Sequence, residues 1–590
     1  MSQMSTDANV PSGEEALSKV EGLKVASRGL YGPLVEELGQ PTPNFSDDAV
    51  QILKHHGSYQ QDDRDTRTAR KKVGLDKDYK MMVRTKFPAG QLSWEQYLIC
   101  DDLATKYGQD DMRITSRQDF QFHGVLKKNL RNLVHDLNRL AEITTFGGCG
   151  DVVRNTTGCP VADIDLKFKE CGADLMDMAR KISAHFLPKT HSYYDLWLDD
   201  EKVEVHEDGT VTFVEKVVPE QAVEDPIYGI TFLPRKFKIG ITADFDNSID
   251  VYTNDVGIMA VTENGRIAGY EILAGGGLGF TQKKPATYPR LATHLAFVQE
   301  HEVIPVLEAI VKVQRDNGGR SDRRHSRMKY LIDDIGLDAF RAKVEEYYGK
   351  PLTPTRNTKP LSQPDYLGWS RQIQDGLNYV GVWVENGRVR DFEDAYRFRS
   401  GLRAIVERFH PDVRLTAHHN IIFANIRDED VAAVQALLDE YGLPTDKGIS
   451  TLRRLEMACP ALPLCGLAMS EAERALPGII KSIEEAGHGD ANVIIRMSGC
   501  PNNCSRPRSA ELGLIGNGTD RYHVYTGGDP LGTRLCDLFM ENVHTANVAP
   551  LISQLFDLWK AERGDNESFG DWSAKKGVEA LRASLASAEV

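Results

Sequence analysis

No window of the 590-residue chain approaches eighteen uninterrupted apolar residues, so nothing in it reads as a membrane-spanning helix. The opening stretch, Met-Ser-Gln-Met-Ser-Thr-Asp-Ala-Asn-Val, lacks the basic-then-apolar order of a secretory signal, and the expected address is the cytoplasm. An excess of positive charge is missing as well: 71 Lys and Arg face 86 Asp and Glu, leaving a net charge of -15. A general nucleic-acid binder needs a basic surface to displace counterions from phosphate, so that class is set aside. Cysteine is scarce too, nine residues being too few for a disulfide framework at this length.

What is present reads as a globular chain of two to four packed units. Residues 1 to about 50 are polar without a sustained period, which predicts a mobile or wrapping arm. The first clear strand is Tyr79 to Phe87. Ser93 and Gln96 then offer a capping box, in which each side chain satisfies a free backbone donor at a helix start. Short strands follow at Met112 to Thr115 and Phe120 to Val125. Leu130, Leu133, Val134, Leu137 and Leu140 then recur at helical spacing on one apolar face.

The same order returns at a constant offset of 301. Arg113, Thr115, Phe122, Leu130, Leu133 and Leu137 correspond to Arg414, Thr416, Phe423, Val431, Val434 and Leu438. Chance similarity between two amphipathic helices explains neither the shared Arg-x-Thr nor the unbroken register. Two copies of a strand-helix-strand-strand-helix unit are expected, similar to half-ferredoxin folds joined as a pseudo-dimer. Pro351, Pro354, Pro360 and Pro364 resist helix and mark a linker near 350 to 365. A second echo, Tyr270-Glu-Ile-Leu-Ala-Gly-Gly-Gly and Tyr522-His-Val-Tyr-Thr-Gly-Gly, follows the copies. The expected class is α+β, each ferredoxin-like half-domain followed by a mixed α/β domain. The divisions are an arm (1–75), half-domains at 76–145 and 366–445, and mixed domains at 146–350 and 446–590.

Four of the cysteines cluster. Cys459-Pro-Ala-Leu-Pro-Leu-Cys465 and Cys500-Pro-Asn-Asn-Cys504 give a C-x5-C pair and a C-x3-C pair about 35 residues apart. Structural zinc sites favour tight C-x2-C knuckles, and inert core cysteines need no flanking prolines. Four thiolates, one per iron, suit a 4Fe-4S cubane. Cys100, Cys149, Cys159, Cys171 and Cys536 are scattered and read as small buried hydrophobes.

Around these residues the stretches Ala458-Cys-Pro-Ala-Leu-Pro-Leu-Cys-Gly-Leu-Ala-Met-Ser-Glu-Ala-Glu-Arg and Gly499-Cys-Pro-Asn-Asn-Cys-Ser-Arg resemble the assimilatory sulfite and nitrite reductases. Further matches run from His56-Gly-Ser-Tyr-Gln-Gln-Asp-Asp-Arg to Ser568-Phe-Gly-Asp, nearly the whole chain. The resemblance implies sirohaem beside the 4Fe-4S cluster, with Cys504 shared between a cluster iron and the haem iron. It also implies that Arg84, Arg154, Lys236 and Lys238 meet the substrate. Read alone, Lys236 and Lys238 straddle Phe237, so on a strand both ammonium groups share one face, an arrangement that by itself reads as a solvated edge and that the resemblance turns toward catalysis. Arg113, Arg117, Gln121 and His123 alternate likewise, and the resemblance assigns them to sirohaem, whose eight carboxylates suit a cationic wall. Arg315, Arg320 and Arg323 are further carboxylate candidates. The glycine run Gly275 to Gly279 carries Phe280 where a dinucleotide fingerprint requires glycine, so it reads as close-packed backbone.

The expected reaction is six-electron reduction of sulfite to sulfide in assimilatory sulfur metabolism. Nitrite reduction on the same cofactors, or a non-catalytic iron-sulfur role, are the alternatives. Lys238 favours sulfite, since a second cation suits a dianion, whereas the Arg154-Asn-Thr-Thr-Gly-Cys-Pro stretch is closer to nitrite enzymes. With no flavin or nicotinamide site, electrons are expected from another protein. Ser321-Asp-Arg-Arg-His-Ser-Arg-Met-Lys-Tyr resembles ferredoxin-dependent enzymes, and Tyr59-Gln-Gln-Asp-Asp-Arg-Asp resembles subunits served by an NADPH flavoprotein.

Overall fold

A computed structural model describes residues 16–199, 203–206, 211–213, 219–392 and 395–588. The duplicated half-domains form two five-stranded antiparallel sheets. The first runs in spatial order Ser58–Asp62, Tyr79–Arg84, Phe120–Val125, Met112–Ile114 and Arg388–Val389. The second runs Gly368–Arg371, Leu377–Val382, Ile421–Arg427, Asp412–Leu415 and Gln91–Leu92. The last strand of each sheet comes from the other half, so neither sheet is complete without its partner. Both exchanged strands follow a one-turn 3-10 segment, Pro88–Gly90 and Glu385–Gly387, ending on a left-handed glycine. A Cβ on Gly90 would lie 2.3 Å from the Leu415 carbonyl oxygen, and one on Gly387 would lie 2.5 Å from that of Ile114. Only glycine allows the exchange at these two points.

The helix Trp94–Tyr107 opens on the expected Ser93/Gln96 capping box. Lys127–Ala141 buries Leu130, Leu133, Val134 and Leu137 over the first sheet. Leu140 does not follow them: it lies in the final turn and is 60% exposed. Periodicity gives an apolar stripe, but not the point at which the partner surface ends.

The mixed domains repeat one topology. The first sheet runs Thr157–Gly158, Ile239–Ala243, Val256–Glu263, Arg266–Ala274 and Thr293–Val298, parallel for the first three and antiparallel after. The second runs Met457–Ala458, Ile495–Ser498, Leu512–Gly518, Arg521–Thr526 and Asp537–His544 with the same order and senses. The echoing tyrosines Tyr270 and Tyr522 lie on corresponding strands. One hydrophobic core joins the half-domains and the first mixed domain, from Leu30 to Leu443, while the second mixed domain has its own, from Leu452 to Leu585. The four clustered cysteines therefore sit beside a seam between cores.

The expected arm is no loose tether over its described part; residues 1–15 lie outside the described residues. Short helices, Lys19–Ala26, Leu34–Glu37 and Asp47–Leu53, bring Leu30, Leu34, Phe45, Ile52 and Leu53 into the main core. Helices of four to eight residues are too short to display a period. Ser58–Asp62, read with the arm, pairs into the first sheet. The proline-rich run has neither helix nor strand between Tyr348 and Gly368, as its composition requires. It is nonetheless fastened: Arg356 N donates to Glu271 at 2.6 Å and Leu361 N donates to the Asp244 carbonyl at 2.8 Å. Among the described residues no helix is long and apolar enough to cross a membrane.

Candidate functional site

Met457–Ala458 and Ile495–Ser498 are parallel neighbours, so the chain leaves both at the same edge of the sheet. Cys459 and Cys465 follow the first strand, and Cys500 and Cys504 follow the second. Gly499 N donates to Cys459 Sγ at 3.2 Å, and Asn502 Nδ2 donates to Cys500 Sγ at 3.6 Å. Burial, then Cys504, Cys500 and Cys465, push the Cys459 thiol well above its ordinary value. Cys465 and Cys500 are raised by burial and next by Cys504. The four sulfurs thus lie close enough to repel one another as thiolates. Two pairs of thiols on loops that leave the same edge of one sheet supply one thiolate for each of four irons, which fits a cubane cluster.

Cys504 is the exposed member, and its carbonyl accepts a hydrogen bond from Ser116 Oγ of the first half-domain at 3.2 Å. Its thiol also lies within electrostatic reach of Arg84, Lys236 and Lys238. Strand pairing explains Arg84: across the first sheet Arg84, Gln121, Arg113 and Arg388 lie opposite one another in one row. Arg84 Nε lies 3.7 Å from Asp119, and Arg154 Nη2 donates to Tyr59 Oη at 3.2 Å. Against the cost of burial, Asp119 and Cys149 hold Arg84 above its ordinary value, as Tyr59 and Cys149 do for Arg154.

Lys236 and Lys238 sit on extended backbone, not a full strand; Phe237 between them bridges Val153 and is buried. Neither ammonium has a hydrogen bond or ion pair to a described residue. Burial, then Arg154 and Arg327, push Lys236 down to about 7. Burial, Lys236 and Arg117 push Lys238 well below its ordinary value. Around these cations Arg84 Nε, Arg117 Nε, Arg154 Nε, Gln121 Oε1 and Asn155 Oδ1 are buried without a hydrogen-bond partner among the described residues. Buried polar atoms are normally satisfied, and cations this crowded are an anion-binding set. The residues present therefore fit a group bearing several carboxylates together with a small oxyanion.

The expected cationic wall divides. Arg117 joins Arg84 and Arg154, bonding Asn254 Oδ1 at 2.9 Å and the Ile239 carbonyl at 3.3 Å. Arg113 turns toward the cysteines, donating to the Ala458 carbonyl at 2.7 Å and to Glu473 at 3.0 Å. Arg388 meets Glu473 at 2.8 Å and His123 at 3.3 Å, and Glu473 N donates to the Cys459 carbonyl. Burial, then Arg388 and Arg113, keep His123 a neutral imidazole. Arg315, Arg320 and Arg323 stay apart from this set. They bond Asp316 at 2.7 Å, the Phe232 carbonyl at 2.7 Å and Asp151 at 2.8 Å, and Arg320 and Arg323 also pair with Glu21 of the helix Lys19–Ala26.

Several site residues carried no usable sequence signal. Tyr59 reaches Arg154 from the first strand, and Cys149 lies near both arginines. Asp255 accepts from Lys238 N at 2.9 Å and from Arg327 at 2.8 Å, anchoring the lysine segment. The glycine run is pinned by Lys329, which donates to the Gly277 and Gly279 carbonyls at 2.9 and 2.8 Å. Phe280 N and the Leu278 carbonyl bond Pro501 and Asn503, so the run buttresses the Cys500–Cys504 loop.

A family model described as the nitrite/sulfite reductase ferredoxin-like half domain matches residues 75–140 and 370–441. A second, the nitrite and sulphite reductase 4Fe-4S domain, matches 177–352. The chain is 40% identical over 578 residues to a sulfite reductase [ferredoxin] of Synechococcus elongatus, covering 96% of this chain and 91% of that protein. The chain belongs to the nitrite and sulfite reductase family. Another family member, the sulfite reductase [NADPH] hemoprotein beta-component of Geobacillus kaustophilus, is 41% identical, covering 95% of this chain and 96% of that one. The solved Mycobacterium tuberculosis NirA protein shares the fold, with TM-score 0.75, 24% identity and coverage of 96% and 98%. The two half-domain matches coincide with the repeat at offset 301. The 4Fe-4S domain match covers the first mixed domain, whereas the four cysteines lie in its topological duplicate.

Proposed function

We propose that this chain reduces sulfite to sulfide at sirohaem joined to a 4Fe-4S cluster, receiving single electrons from a ferredoxin. One observation carries the reading: Cys504 belongs electrostatically to both the thiolate quartet and the cation set. Cys459, Cys465, Cys500 and Cys504 would hold the cluster, with Cys504 common to cluster and haem; Arg113, Arg117, Gln121 and His123 would face the haem or its surroundings. When bound, these groups supply a sulfur-binding iron and a nearby electron store. The balance is HSO3⁻ + 6 e⁻ + 6 H⁺ → HS⁻ + 3 H2O.

The chain's own residues then bind an oxyanion and deliver protons. Arg84 and Arg154 stay charged at any working pH and neutralise substrate oxygens. Lys236, brought to about 7, can give up and regain a proton near neutrality, which each oxygen leaving as water requires. Lys238, fixed through Asp255, adds the second cation that suits a dianion. Relatives of both donor types are similar over most of the chain, and the resemblance of the stretch from Ser321 to Ile332 to ferredoxin-dependent enzymes supports ferredoxin. All nine cysteines are free, which supports a reducing, cytoplasmic setting.

The test is sulfite and nitrite turnover measured side by side on holoenzyme with reduced viologen, repeated for Lys238→Asn. Sulfite is preferred by kcat/KM in the parent, and the substitution narrows that preference by about tenfold or more. A parent that already prefers nitrite sinks the sulfite assignment.

A further inference from the structure

The turns that join Met112–Ile114 to Phe120–Val125 and Asp412–Leu415 to Ile421–Arg427 are built alike and charged differently. Thr115 N donates to the Asp119 carbonyl at 3.0 Å and Thr416 N to the Asn420 carbonyl at 2.9 Å, and Gln118 and His419 both take a left-handed φ. In the second copy the charges are missing together. Gly381 stands at the register position of Arg84, and at the offset of 301 His418 and Asn420 replace Arg117 and Asp119. Burial and then Arg496 bring His418 down to about 3, so it is a neutral imidazole. Asn420 Oδ1 accepts from Val384 N at 3.1 Å.

In the first copy Asp119 is fully buried beside the cations that surround the candidate substrate site. Thr115 Oγ1 donates to its Oδ1 at 2.6 Å, and Arg84 Nε lies 3.7 Å from the same oxygen. Its Oδ2 makes no hydrogen bond to any described residue. Of the charged groups around Arg84 and Arg117, Asp119 acts most strongly on both. Burial pushes the Asp119 carboxyl up, while Arg84, the Thr115 hydroxyl, Arg117 and Arg154 hold it down. Asp255, the carboxylate that anchors Lys238, is taken up by Arg327 at 2.8 Å. A buried carboxylate with an unbonded oxygen is costly, and in a set that binds anions it opposes the ligand. The turn itself does not need that charge, since Asn420 closes the same turn in the duplicate.

We propose that Asp119 is a built-in counter-anion of the substrate site, a positioning residue that steadies Arg84 and Arg117 and limits how tightly the cation set grips an oxyanion. The inference rests on the sulfite reading above and deepens it. Arg84, Arg117, Arg154, Lys236 and Lys238 would otherwise hold incoming and outgoing anions alike. A grip shared by ground state and transition state lowers KM without raising kcat. Asp119 offsets one of those charges from a fixed point, so that sulfite is held and sulfide is let go.

The test compares Asp119→Asn with the parent as holoenzyme, with sulfate as an unreactive dianion and reduced viologen as electron donor. The variant reproduces Asn420, and its amide oxygen can still accept from Thr115. The Kd of sulfate, measured by calorimetry, and the KM for sulfite both fall about tenfold, the effect of one unit charge at short range. kcat falls with them because product leaves more slowly. Iron content and the visible spectrum match the parent. A loosened framework would raise both constants, so the sign of the change separates charge balance from packing. A sulfate Kd that rises or stays unchanged overturns the proposal, and so does loss of iron or haem absorption from the variant. A parent that turns over no sulfite overturns the sulfite reading, while the sulfate Kd still decides the role of Asp119.

Discussion

The two mixed domains share strand order, strand sense and a Cys-Pro pair after the first strand, yet only one gathers four thiols. Cys159 follows Thr157–Gly158 as Cys459 follows Met457–Ala458, an offset of 300 that places Asp165 where the second copy has Cys465. Pairing of the next strands, offset by 256, places Asp244 and Ser248 at the positions of Cys500 and Cys504. In the first copy Tyr379 bonds Asp165, while Tyr366 bonds Asp246 and meets Cys159 Sγ at 3.6 Å. Side chains of the second half-domain thus satisfy that pocket. One scaffold supports a filled polar core or a cluster cradle, depending on three residues and two tyrosines.

The half-domains differ in the same sense. The row Arg84, Gln121, Arg113, Arg388 corresponds by register to Gly381, Ile422, Arg414 and Gln91. Arg414 keeps its counterpart's habit of bonding the C-terminal end of a mixed domain's first strand, donating to the Pro160 carbonyl just past it at 3.0 Å as Arg113 does to Ala458 at its last residue. The cation facing Cys504 has no equivalent. The duplication therefore explains the framework, and departures from it locate the chemistry.

The largest break should come at Cys504, the thiolate proposed to be shared. Cys504→Ser is expected to lower sulfite turnover by more than about 100-fold, beyond the usual cost of an outer-shell change. Steady-state rates with reduced viologen, alongside iron content and haem absorption, provide the check. Turnover within tenfold of the parent would remove Cys504 from its role. Next in size is Arg84→Gly, which gives the first sheet the residue of the second. Its kcat/KM for sulfite should fall by about 10² to 10³, the cost of removing one charge-stabilising donor, while kcat/KM survives unchanged if the guanidinium never meets substrate.

Part of this was legible in the sequence because it is local. The four cysteines, the Ser93 cap and the offset of 301 each depend on residues a few positions apart or on unbroken register. Strand exchange was not legible, since Gln91–Leu92 and Arg388–Val389 are two residues long and their partners lie nearly three hundred residues away. The partners of Arg113 and Arg117 were not legible for a related reason: alternation places side chains on a face, but it does not say that Arg113 bonds the Ala458 carbonyl and Arg117 bonds Asn254. Arg315, Arg320 and Arg323 look in sequence like any basic cluster; only Asp316, Glu21 and Asp151 reveal their structural use.

A smaller effect concerns pH. The cationic form of Lys236 binds the anion, and that form is lost as pH rises through a value brought down from 10.5 to about 7. kcat/KM for sulfite should therefore decline on the alkaline side, from pH about 7 or above, by up to tenfold per pH unit. Bound anion favours the protonated amine, so the limb in kcat lies at higher pH than the limb in kcat/KM. Lys236→Arg keeps the charge at every accessible pH and should abolish the limb. A pH-rate profile in which the limb persists in the variant assigns it to another group.

The smallest effect should come from Cys159→Ser, the duplicate of the proposed cluster ligand Cys459. Burial and then Asp246 push this thiol far above its ordinary value, so it remains protonated and serves as a small, hydrogen-bonded core group. Serine keeps the donor and is only slightly smaller, so the expected loss is about 1 kcal/mol and a Tm lower by no more than about 2–4 °C. Iron content, haem spectrum and sulfite turnover should match the parent within twofold. Cys459→Ser, one step along the duplication, should lose cluster iron. If both substitutions removed iron alike, the first mixed domain would also be a metal site, and the division of labour between the copies would fail.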